Sequence, residues 1–490
     1  MSSGLAVFIL VVYFLAMTVI LVYSLFQLLL SIRYLRSKRG TRLVPDDPKV
    51  WPRVTVQLPV YNELYVVGRL MDAVGNLDYP RDRLQVQLID DSTDESLEVG
   101  RAKVHELVSK GINAVHIRRP DRTGYKAGAL QHALASATGE CIAIFDADFV
   151  PNPDFLKKTI PWFSDDHIGL VQTKWTHLNR NHSILTRLQA LALDMHFSVE
   201  QQGRNAAGHF MNFNGTAGVW RKRAIEDAGG WRDTTLTEDL DISYRAQLRG
   251  WMFQYLEDVR SPAELPIEMH ALKSQQHRWN KGGAETARLL LPHVFRSKLR
   301  LSSKLHAAVH LLNSSVYLCV LLVAILSVPF LLAKSALSST DLTPAYVFLS
   351  AMLLLTFAYF TSITQNSRGV DRWKRFLIEY PAFLSLSLGL SLHNSVAVIK
   401  GLVGKRTPFI RTPKFNLGAH GTWRGNKYVT RHLPVITWVE GLIAVYLVGG
   451  IIIGWQQRDF GMMPFHIVGA IGFATIFAYS LTHALLAPRS

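Results

Sequence analysis

The first 32 residues contain no charged side chain, and this run restricts the fold of the chain more than any other feature. A helix that crosses the hydrocarbon core of a bilayer needs about 20 consecutive apolar residues. The run ends at Arg33, where the basic stretch RYLRSKRGTR begins. A signal peptide is the alternative, but it has a basic leading region and a shorter apolar stretch of about 7 to 15 residues. The pattern therefore predicts a transmembrane helix over residues 1–32.

Four further apolar stretches predict four more spans, at 307–333, 342–364, 434–455 and 464–487. The long segment between the first two spans has a mixed composition, punctuated by glycine, proline and aspartate, and this indicates a soluble domain. We predict a basic linker at 33–50, the soluble domain at 51–285, an interfacial helix at 286–306, spans two and three within 307–364, an interfacial segment with a basic loop at 369–432, and spans four and five within 433–490.

The distribution of basic residues predicts the orientation, because Lys and Arg next to membrane spans collect on the cytoplasmic side. The basic run after the first span places the soluble domain in the cytoplasm, with the N-terminus outside and the C-terminus inside. We expect segment 376–400 not to cross, because crossing would leave the basic stretch Lys400–Arg431 outside. The formal charge of +16 is then largely charge that faces anionic lipid, and a nucleic-acid partner loses its main support.

Short apolar runs alternate with helical patterns in the soluble segment: VTVQLPV, LQVQLID, NAVHI, CIAIFDAD and IGLVQT. Such alternation predicts an α/β domain with a parallel sheet, in which ligands bind beyond the carboxyl ends of the strands. Two of the runs end in carboxylates, at Asp90-Asp91-Ser92 and at Asp146-Ala147-Asp148. Neither of the glycine-rich phosphate loops, GxGxxG or GxxxxGK[ST], occurs at these turns.

The pair Asp146 and Asp148 predicts a site for a hard divalent cation, Mg²⁺ or Mn²⁺, with Asp148 the better candidate for direct contact. Such an ion takes its remaining ligands from substrate phosphates and water, so a diphosphate substrate is implied. The alternative is that this turn only caps the following helix. Lys126, in RTGYKAGAL, is a candidate for contact with a phosphate.

Two later segments carry further candidates. Thr237-Glu238-Asp239 opens a helical pattern, where a carboxylate either caps the helix or takes part in chemistry. The segment QQHRW, from Gln275 to Trp279, combines an arginine that can pair with an oxyanion and an aromatic ring that can stack on a sugar. For the tryptophan, the alternative is the interfacial aromatic belt of membrane proteins.

The order of these motifs, beginning with LPVYNE at Leu58–Glu63, resembles that of membrane glycosyltransferases of family 2, which include cellulose synthase and hyaluronan synthase. The segments FNGTAGVWR, AGGW and QQHRW are most similar to the cellulose-synthase-like A and C enzymes, which make mannan, glucomannan or xyloglucan backbones. The resemblance runs from about Trp51 to Lys414. It implies a cytoplasmic nucleotide-sugar-binding domain of the GT-A-like α/β class, inserted between transmembrane helices.

The resemblance also implies a role for each candidate residue. The nucleoside would contact Tyr61, Glu63 and Asp90, the diphosphate Lys126 and Asp146, and the metal Asp148. Asp239 would be the general base and Glu238 would lie on the acceptor side, while Gln275, Arg278 and Trp279 would close over the diphosphate and receive the acceptor sugar. A helix start is expected to lower the basicity of Asp239. The loop TPFIRTPKF resembles the gating loop of cellulose synthase, although it departs from the usual Phe-x-Val-Thr pattern, and Phe409, Arg411 and Lys414 are its candidate phosphate contacts.

The activity implied is inverting polymerisation of a hexose, from UDP-glucose or GDP-mannose, into a β-linked polysaccharide that crosses the membrane. Transfer of a single sugar to a membrane lipid is the alternative. A non-enzymatic scaffold or transporter would explain the spans but leave the ordered carboxylates unused. The expected partners are the nucleotide sugar, the growing chain or lipid acceptor, the bilayer and export proteins. The expected location is the inner membrane in a prokaryote or the Golgi membrane in a plant.

Overall fold

A computed structural model describes residues 2–40, 44–336, 343–405, 407–408, 410–416, 426–428 and 433–486. The candidate Phe409 and the last four residues of the chain lie outside the described residues.

The central sheet has seven strands in the order β3-β2-β1-β4-β6-β5-β7. Their bounds are β1 Val54–Val60, β2 Leu84–Asp90, β3 Asn113–Ile117, β4 Cys141–Ile144, β5 Ile168–His177, β6 Gly218–Arg221 and β7 Met252–Ala263. Every residue of β2, and all of β1 except Pro59, is buried, as expected for central strands with helices on both faces. Buried amides on the two strands pair with each other, since Gln57 donates to Gln87 at 2.9 Å.

Five of these strands lie where the apolar runs predict them, but the sheet is not wholly parallel. Strand β6 runs antiparallel to both of its neighbours, β4 and β5. The periodicity did not predict β6 or β7. Strand β6 has only four residues, too few to show a period of two against the helix that follows it directly. The expectation of a parallel sheet is therefore corrected to a mixed one.

Among the described residues up to Leu248 there are nine α-helices. Their bounds are α1 Ser3–Ser37, α2 Val67–Gly75, α3 Ser96–Ser109, α4 Tyr125–Leu134, α5 Phe155–Thr159, α6 Ile184–Met195, α7 Gly203–Ala206, α8 Lys222–Asp227 and α9 Glu238–Leu248. The helices that follow are α10 Met269–Arg296, α11 Leu301–Leu311, α12 Val316–Ala336, α13 Thr343–Asn366, α14 Gly369–Lys374, α15 Tyr380–Gly389, α16 Ser391–Leu402, α17 Val435–Gln456 and α18 Met463–Leu486. Two π-helical segments, His196–Gln202 and Arg375–Glu379, continue α6 and α14.

Within the described residues, four helical segments are long and apolar enough to cross a membrane: Ser3–Ser37, Asn313–Ser335, Val435–Gln456 and Met463–Leu486. A fifth is possible if Gly369–Gly389 and Ser391–Leu402, which meet at an angle of 50°, form one broken span. Helix α13 occupies the stretch for which the sequence predicts the third span. The arrangement with five spans and a non-crossing segment 376–400 stays a prediction.

The predicted boundary at residue 285 between the soluble domain and an interfacial helix falls inside a continuous helix. Helix α10 runs for 28 residues across it, and α11 follows after a short break. The helix continues through Gly282 and Gly283 because both lie against other elements, and its only proline, Pro292, stands in the last turns. One continuous helix therefore carries QQHRW and leads towards the apolar helices that could cross a membrane.

A buried ion pair fixes α10 to the C-terminal helices. Lys273 of α10 donates to Glu440 of α17 at 2.6 Å and to Ser480 of α18 at 2.9 Å. The side chains of Lys273 and Glu440 are only 5% and 0% exposed. One turn earlier, the backbone N–H of Met269 donates to His483 of α18 at 2.9 Å. These contacts hold the start of α10 against the two last helices.

We expect single replacements in this pair, Lys273→Met or Glu440→Leu, to destabilise the protein by about 3–5 kcal/mol, because each leaves a buried charge unpaired. The double variant should recover most of the loss, since neither charge remains. Thermal unfolding of the purified protein in detergent measures both effects. The partly exposed pair Lys334–Asp459, at 2.8 Å, is the matched control, and Lys334→Met should cost no more than about 1 kcal/mol. Equal losses in the single and double variants would contradict the expectation.

Candidate functional site

The register of the sheet brings the predicted motifs to one edge. Val60 at the end of β1 pairs with Asp90 at the end of β2, and Ile144 at the end of β4 pairs with Gln57 of β1. Strand β6 is antiparallel, so the segment that precedes it, which includes Gly215, arrives at the same edge. Loops from four strands therefore meet there.

A cavity of about 190 Å³ lies at this edge. All the described residues that were predicted for the site line it except Asp90: Tyr61, Glu63, Lys126, Asp146, Asp148, Glu238, Asp239, Gln275, Arg278 and Trp279. Residues Arg411, Thr412 and Lys414 of the loop after α16 line it as well. Motifs that are far apart in the sequence thus form one site.

Lys126, in the first turn of α4, lines the cavity and contacts polar groups from several segments. Its Nζ lies 2.6 Å from Asp146 Oδ1 and donates to the carbonyl oxygen of Gly215 at 2.8 Å. Glu238 Oε1 is 3.7 Å away. Burial alone would lower the pKa of Lys126, but the carboxylates of Asp146 and Glu238 outweigh it and raise the pKa. The side chain therefore remains a cation.

Asp239 lies in the first turn of α9. Its Oδ1 accepts a hydrogen bond from the backbone N–H of Leu240 at 2.8 Å. A Cβ atom on Gly215, which has φ of +79°, would lie only 3.1 Å from its Oδ2. A side chain at position 215 would thus crowd the carboxylate as well as strain the backbone.

Burial, and next the neighbouring Glu238 carboxylate, raise the pKa of Asp239 to about 7, against the opposing effect of Lys126. The expectation that the helix start lowers the basicity of Asp239 is therefore corrected. Removal from water outweighs the helix dipole at this position. Thr237, the residue before α9, makes no side-chain cap, but the Asp239 carboxylate accepts a backbone N–H in the first turn, so a capping contact and a chemical role coexist as alternatives for Asp239.

Asp148 is 2% exposed and faces a lysine. Its Oδ2 lies 2.8 Å from Lys414 Nζ and accepts from the backbone N–H of Glu264 at 3.3 Å. Its Oδ1 has no hydrogen-bond partner among the described residues. One carboxylate oxygen is therefore available for a ligand, and a cation already lies against the other.

Glu63 forms an ion pair with the same loop that carries Lys414. Arg411 Nη1 lies 2.9 Å from Glu63 Oε2. Burial raises the pKa of Glu63 to about 7, although Arg411 and Lys414 both lower it. Arg411 also lies over the ring of Tyr428, with 4.1 Å from its guanidinium carbon to the ring centroid. Of the three loop candidates, the structure places Arg411 and Lys414 in the cavity.

The structure does not bring Asp90 into the cavity. Its Oδ2 lies 2.9 Å from His116 Nε2 of β3, and its Oδ1 accepts from the backbone N–H of Ser92 at 2.8 Å. These contacts lower the pKa of Asp90 despite its burial. Side chains alternate in direction along a strand, so the next residue, Asp91, is the one that lines the cavity.

Arg119 and Arg122 are functional candidates that the sequence analysis missed. The guanidinium carbon of Arg122 lies 3.4 Å from the ring centroid of Tyr61, and Arg122 lines the cavity. Arg119 Nε donates to Asp91 at 3.0 Å. Both arginines belong to the basic stretch RRPDR that directly follows β3. Its place at the carboxyl end of a strand was the signal that could have identified them.

A second cavity, of about 460 Å³, adjoins the first. The two share lining residues, which include Asn214, Thr237, Asp239, Gln275 and Trp279. The rest of its wall comes partly from helices with membrane-like composition: Ile20 and Tyr23 of α1, Tyr317 and Val320 of α12, and Phe383 of α15. Asp239 and Trp279 therefore stand where the polar cavity meets a space between apolar helices.

At this junction, α10 packs closely against the backbone at Thr237, and this contact fixes the position of the segment that leads to Asp239. A Cβ atom on Gly282 would lie 2.5 Å from Thr237 Cγ2 and 2.8 Å from its backbone nitrogen. At the adjacent Gly283, the nearest atom would be Ser314 Oγ at 3.4 Å. Only the first glycine is therefore required by the packing.

We expect Gly282→Ala to destabilise the protein by about 1–3 kcal/mol, because the backbone before Asp239 has to move. Gly283→Ala should be neutral or stabilising by up to about 1 kcal/mol, since alanine favours a helix interior and meets no close atom. Thermal unfolding of the two variants measures the difference. Equal behaviour of the two alanine variants would exclude the close contact as a constraint.

Known proteins resemble a large part of the chain. Residues 52–282 match the family described as "Glycosyltransferase like family 2". Glucomannan 4-beta-mannosyltransferase 1 of Oryza sativa subsp. japonica is 43% identical over 272 residues, which are 54% of this chain and 52% of that protein. Glucomannan 4-beta-mannosyltransferase 2 of Arabidopsis thaliana is 43% identical over 264 residues, 52% of this chain and 49% of that protein. The chain thus spans about half the length of these curated relatives.

A solved structure agrees with the fold. The mannosyltransferase PcManGT from Pyrobaculum calidifontis, in complex with GDP-Man and Mn2+, superposes with a TM-score of 0.50 at 19% identity, covering 80% of this chain and 100% of that chain. The predicted GT-A-like α/β fold is confirmed. The resemblance that the ordered motifs indicated is confirmed as well, since residues 52–282 match the family described as glycosyltransferase like family 2.

Proposed function

We propose that this protein is an inverting glycosyltransferase that adds hexose units from a nucleotide diphosphate sugar to a growing β-linked chain. The observation that carries the proposal is the junction of the two cavities at Asp239 and Trp279. Cations and carboxylates suited to a diphosphate line one side of that junction. A passage between apolar helices begins on the other side.

The donor would occupy the first cavity. Lys126 and Arg278 would face the diphosphate, since both are cations in its wall. Tyr61, Asp91 and Arg122, at the ends of β1, β2 and β3, would hold the nucleoside, with Asp91 taking the place expected for Asp90. GDP-mannose is the favoured donor, because the plant relatives are glucomannan mannosyltransferases and the Pyrobaculum enzyme was solved with GDP-Man. UDP-glucose remains the other candidate.

Asp148 would hold a divalent cation, Mg²⁺ or Mn²⁺. The residues fit such an ion, because Asp148 presents an unpartnered, buried carboxylate oxygen to the cavity. No cluster of three His, Cys, Asp or Glu side chains occurs in the described part of the chain, so substrate phosphates would supply further ligands. When bound, the ion would neutralise charge that develops on the leaving diphosphate.

Asp239 would accept the proton from the attacking acceptor hydroxyl. A raised pKa makes it a stronger base than an ordinary aspartate, and it remains ionised at mildly alkaline pH. The hydrogen bond from Leu240 fixes the direction of the carboxylate. Direct displacement from the side opposite the leaving group would invert the anomeric carbon, so an α-linked donor would give a β-linked product.

The acceptor would enter through the second cavity. Trp279 would stack against the acceptor sugar, and Glu238 and Gln275 would offer polar contacts beside it. The wall between α1, α12 and α15 favours a chain that moves away from the site between the membrane helices. The catalytic domain would face the cytoplasm, and export partners would meet the chain on the far side. A prokaryotic inner membrane or a plant Golgi membrane would suit this arrangement.

Incubation of the purified protein with labelled GDP-mannose, UDP-glucose and other nucleotide sugars, with Mn²⁺, tests the proposal. We expect a polymer from GDP-mannose that an endo-β-mannanase degrades. Product sizing separates the alternatives, because a lipid carrying one sugar would establish the non-processive reaction instead. Absence of transfer from every donor would overturn the proposed function.

We expect Asp239→Asn to lower the transfer rate by about 10² to 10⁴, because the variant keeps the shape but cannot accept a proton. In the wild-type protein, the rate should fall as the pH drops below about 7, since Asp239 then becomes protonated. Turnover against pH and equilibrium binding of the donor measure the two effects. Donor binding should survive in the variant.

The matched control is Asp166→Asn, the same chemical change at a side chain that is 94% exposed and outside both cavities. It should leave the rate and the pH profile unchanged. Near-normal turnover of Asp239→Asn would exclude it as the base, and loss of donor binding would assign it to the donor site.

A further inference from the structure

The cation that lies against Asp148 belongs to the protein itself. Lys414 Nζ is 2.8 Å from Asp148 Oδ2, within a cavity wall where the carboxylate is almost wholly buried. A buried carboxylate without an opposite charge is strongly unfavourable, so Lys414 supplies a charge that Asp148 needs whenever the donor is absent. The Asp148 carboxylate raises the pKa of Lys414 against the opposing effect of burial.

The loop around Lys414 is fixed to the walls of the cavity on both sides. After the lysine, the backbone N–H groups of Phe415 and Asn416 both donate to Glu264 Oε2 at 3.1 Å. Before it, Thr412 accepts a hydrogen bond from Arg278 at 2.8 Å. These contacts anchor the backbone while the lysine side chain reaches into the site on its flexible stem.

Arg69 strengthens the anchor after the lysine. It donates to Asn416 Oδ1 at 2.7 Å, and its Nη2 lies 2.8 Å from Glu264 Oε1. The lysine can therefore change its partner by side-chain rotation alone, without release of the loop.

We propose that Lys414 is an internal counter-ion of the metal-binding carboxylate, which makes tight metal binding conditional on the nucleotide diphosphate. This inference rests on the proposed function, in which Asp148 holds the divalent cation. A metal ion that binds without the nucleotide would lie next to the Lys414 ammonium group at the Asp148 carboxylate, and the two cations repel each other. A diphosphate brings negative oxygens that the ammonium can contact instead, and Asp148 then becomes available to the metal.

The two lysines of the cavity differ in this respect. Lys126 is held by Asp146 and also by the carbonyl oxygen of Gly215, and its backbone belongs to helix α4. Lys414 has a carboxylate partner but no second hydrogen-bond acceptor described for its Nζ. Lys126 is therefore a fixed cation, whereas Lys414 is able to exchange Asp148 for a phosphate.

Titration of the full-length protein in detergent with Mn²⁺, with the free ion followed by electron paramagnetic resonance, tests the proposal without any turnover. It is performed with and without GDP. We expect the wild-type protein to bind Mn²⁺ weakly alone and tightly with GDP. Lys414→Gln should bind Mn²⁺ alone at least about tenfold more tightly, because the competing charge is gone. With GDP, the same variant should bind Mn²⁺ less tightly than the wild-type protein.

Lys427→Gln is the matched control, since Lys427 is an exposed lysine that pairs with Asp94 and Glu95 and not with Asp148. It should behave as the wild-type protein does. Asp148→Asn should weaken Mn²⁺ binding in the presence of GDP, which identifies the site of the ion. Size-exclusion profiles and melting temperatures verify that the variants fold, and Lys414→Met takes the place of Lys414→Gln if the latter does not.

Unchanged Mn²⁺ affinity without GDP in Lys414→Gln, together with the expected loss in Asp148→Asn, would overturn the role of Lys414 and leave the proposed function intact. Absence of any effect of Asp148→Asn would remove the metal from this carboxylate and overturn the inference together with the metal assignment. A tenfold gain for Lys414→Gln that Lys427→Gln does not share would establish it.

Discussion

The site depends on one cation placed among several carboxylates. Lys126 lies between Asp146, Glu238 and the carbonyl oxygen of Gly215, and these three groups come from three different segments of the chain. Without the lysine, the carboxylates would repel one another at the same edge of the sheet, and their ionised forms would be disfavoured. The carbonyl oxygen of Gly215, in the segment before β6, therefore has to lie at that edge and accept a hydrogen bond from Lys126 Nζ. The antiparallel course of β6 achieves this, because the strand starts where β4 ends.

Helix α10 connects this site to helices that are long and apolar enough to cross a membrane. Its first turns are held by Lys273–Glu440 and by His483, and its middle presents Gln275, Arg278 and Trp279 to the cavities. Further along, Gly282 lets the Thr237 segment approach the helix axis closely. A displacement of α17 or α18 would thus reach the junction of the two cavities through one continuous helix. The first helix is attached separately, since Tyr34 donates to Glu257 of β7 at 2.9 Å.

Part of the candidate site could be predicted from the sequence, because charged residues directly follow the apolar runs that predict strands. Asp146, Asp148 and Lys126 were found because apolar runs end just before the aspartates and because the motifs keep a recognisable order. The resemblance assigned Asp90 to the nucleoside, whereas Asp91 is the residue that lines the cavity, and the sequence alone does not show which of the two faces it. The side to which each one points is decided by the pairing of β2 with β3, which supplies His116 as a partner for Asp90. Arg122 was missed because its function arises only when its loop folds over Tyr61, a contact of residues 61 positions apart in the chain.

The basicity of Asp239 shows why local rules are insufficient at such a site. Its place in the first turn of α9 predicts a stabilised anion and a weaker base, and the hydrogen bond from Leu240 has that effect. Burial and the adjacent Glu238 act in the opposite direction and are stronger. Lys126 limits their effect, because it lies against Glu238 and lowers the pKa of Asp239 as well. The lysine that lies between these carboxylates therefore also affects how readily Asp239 accepts a proton.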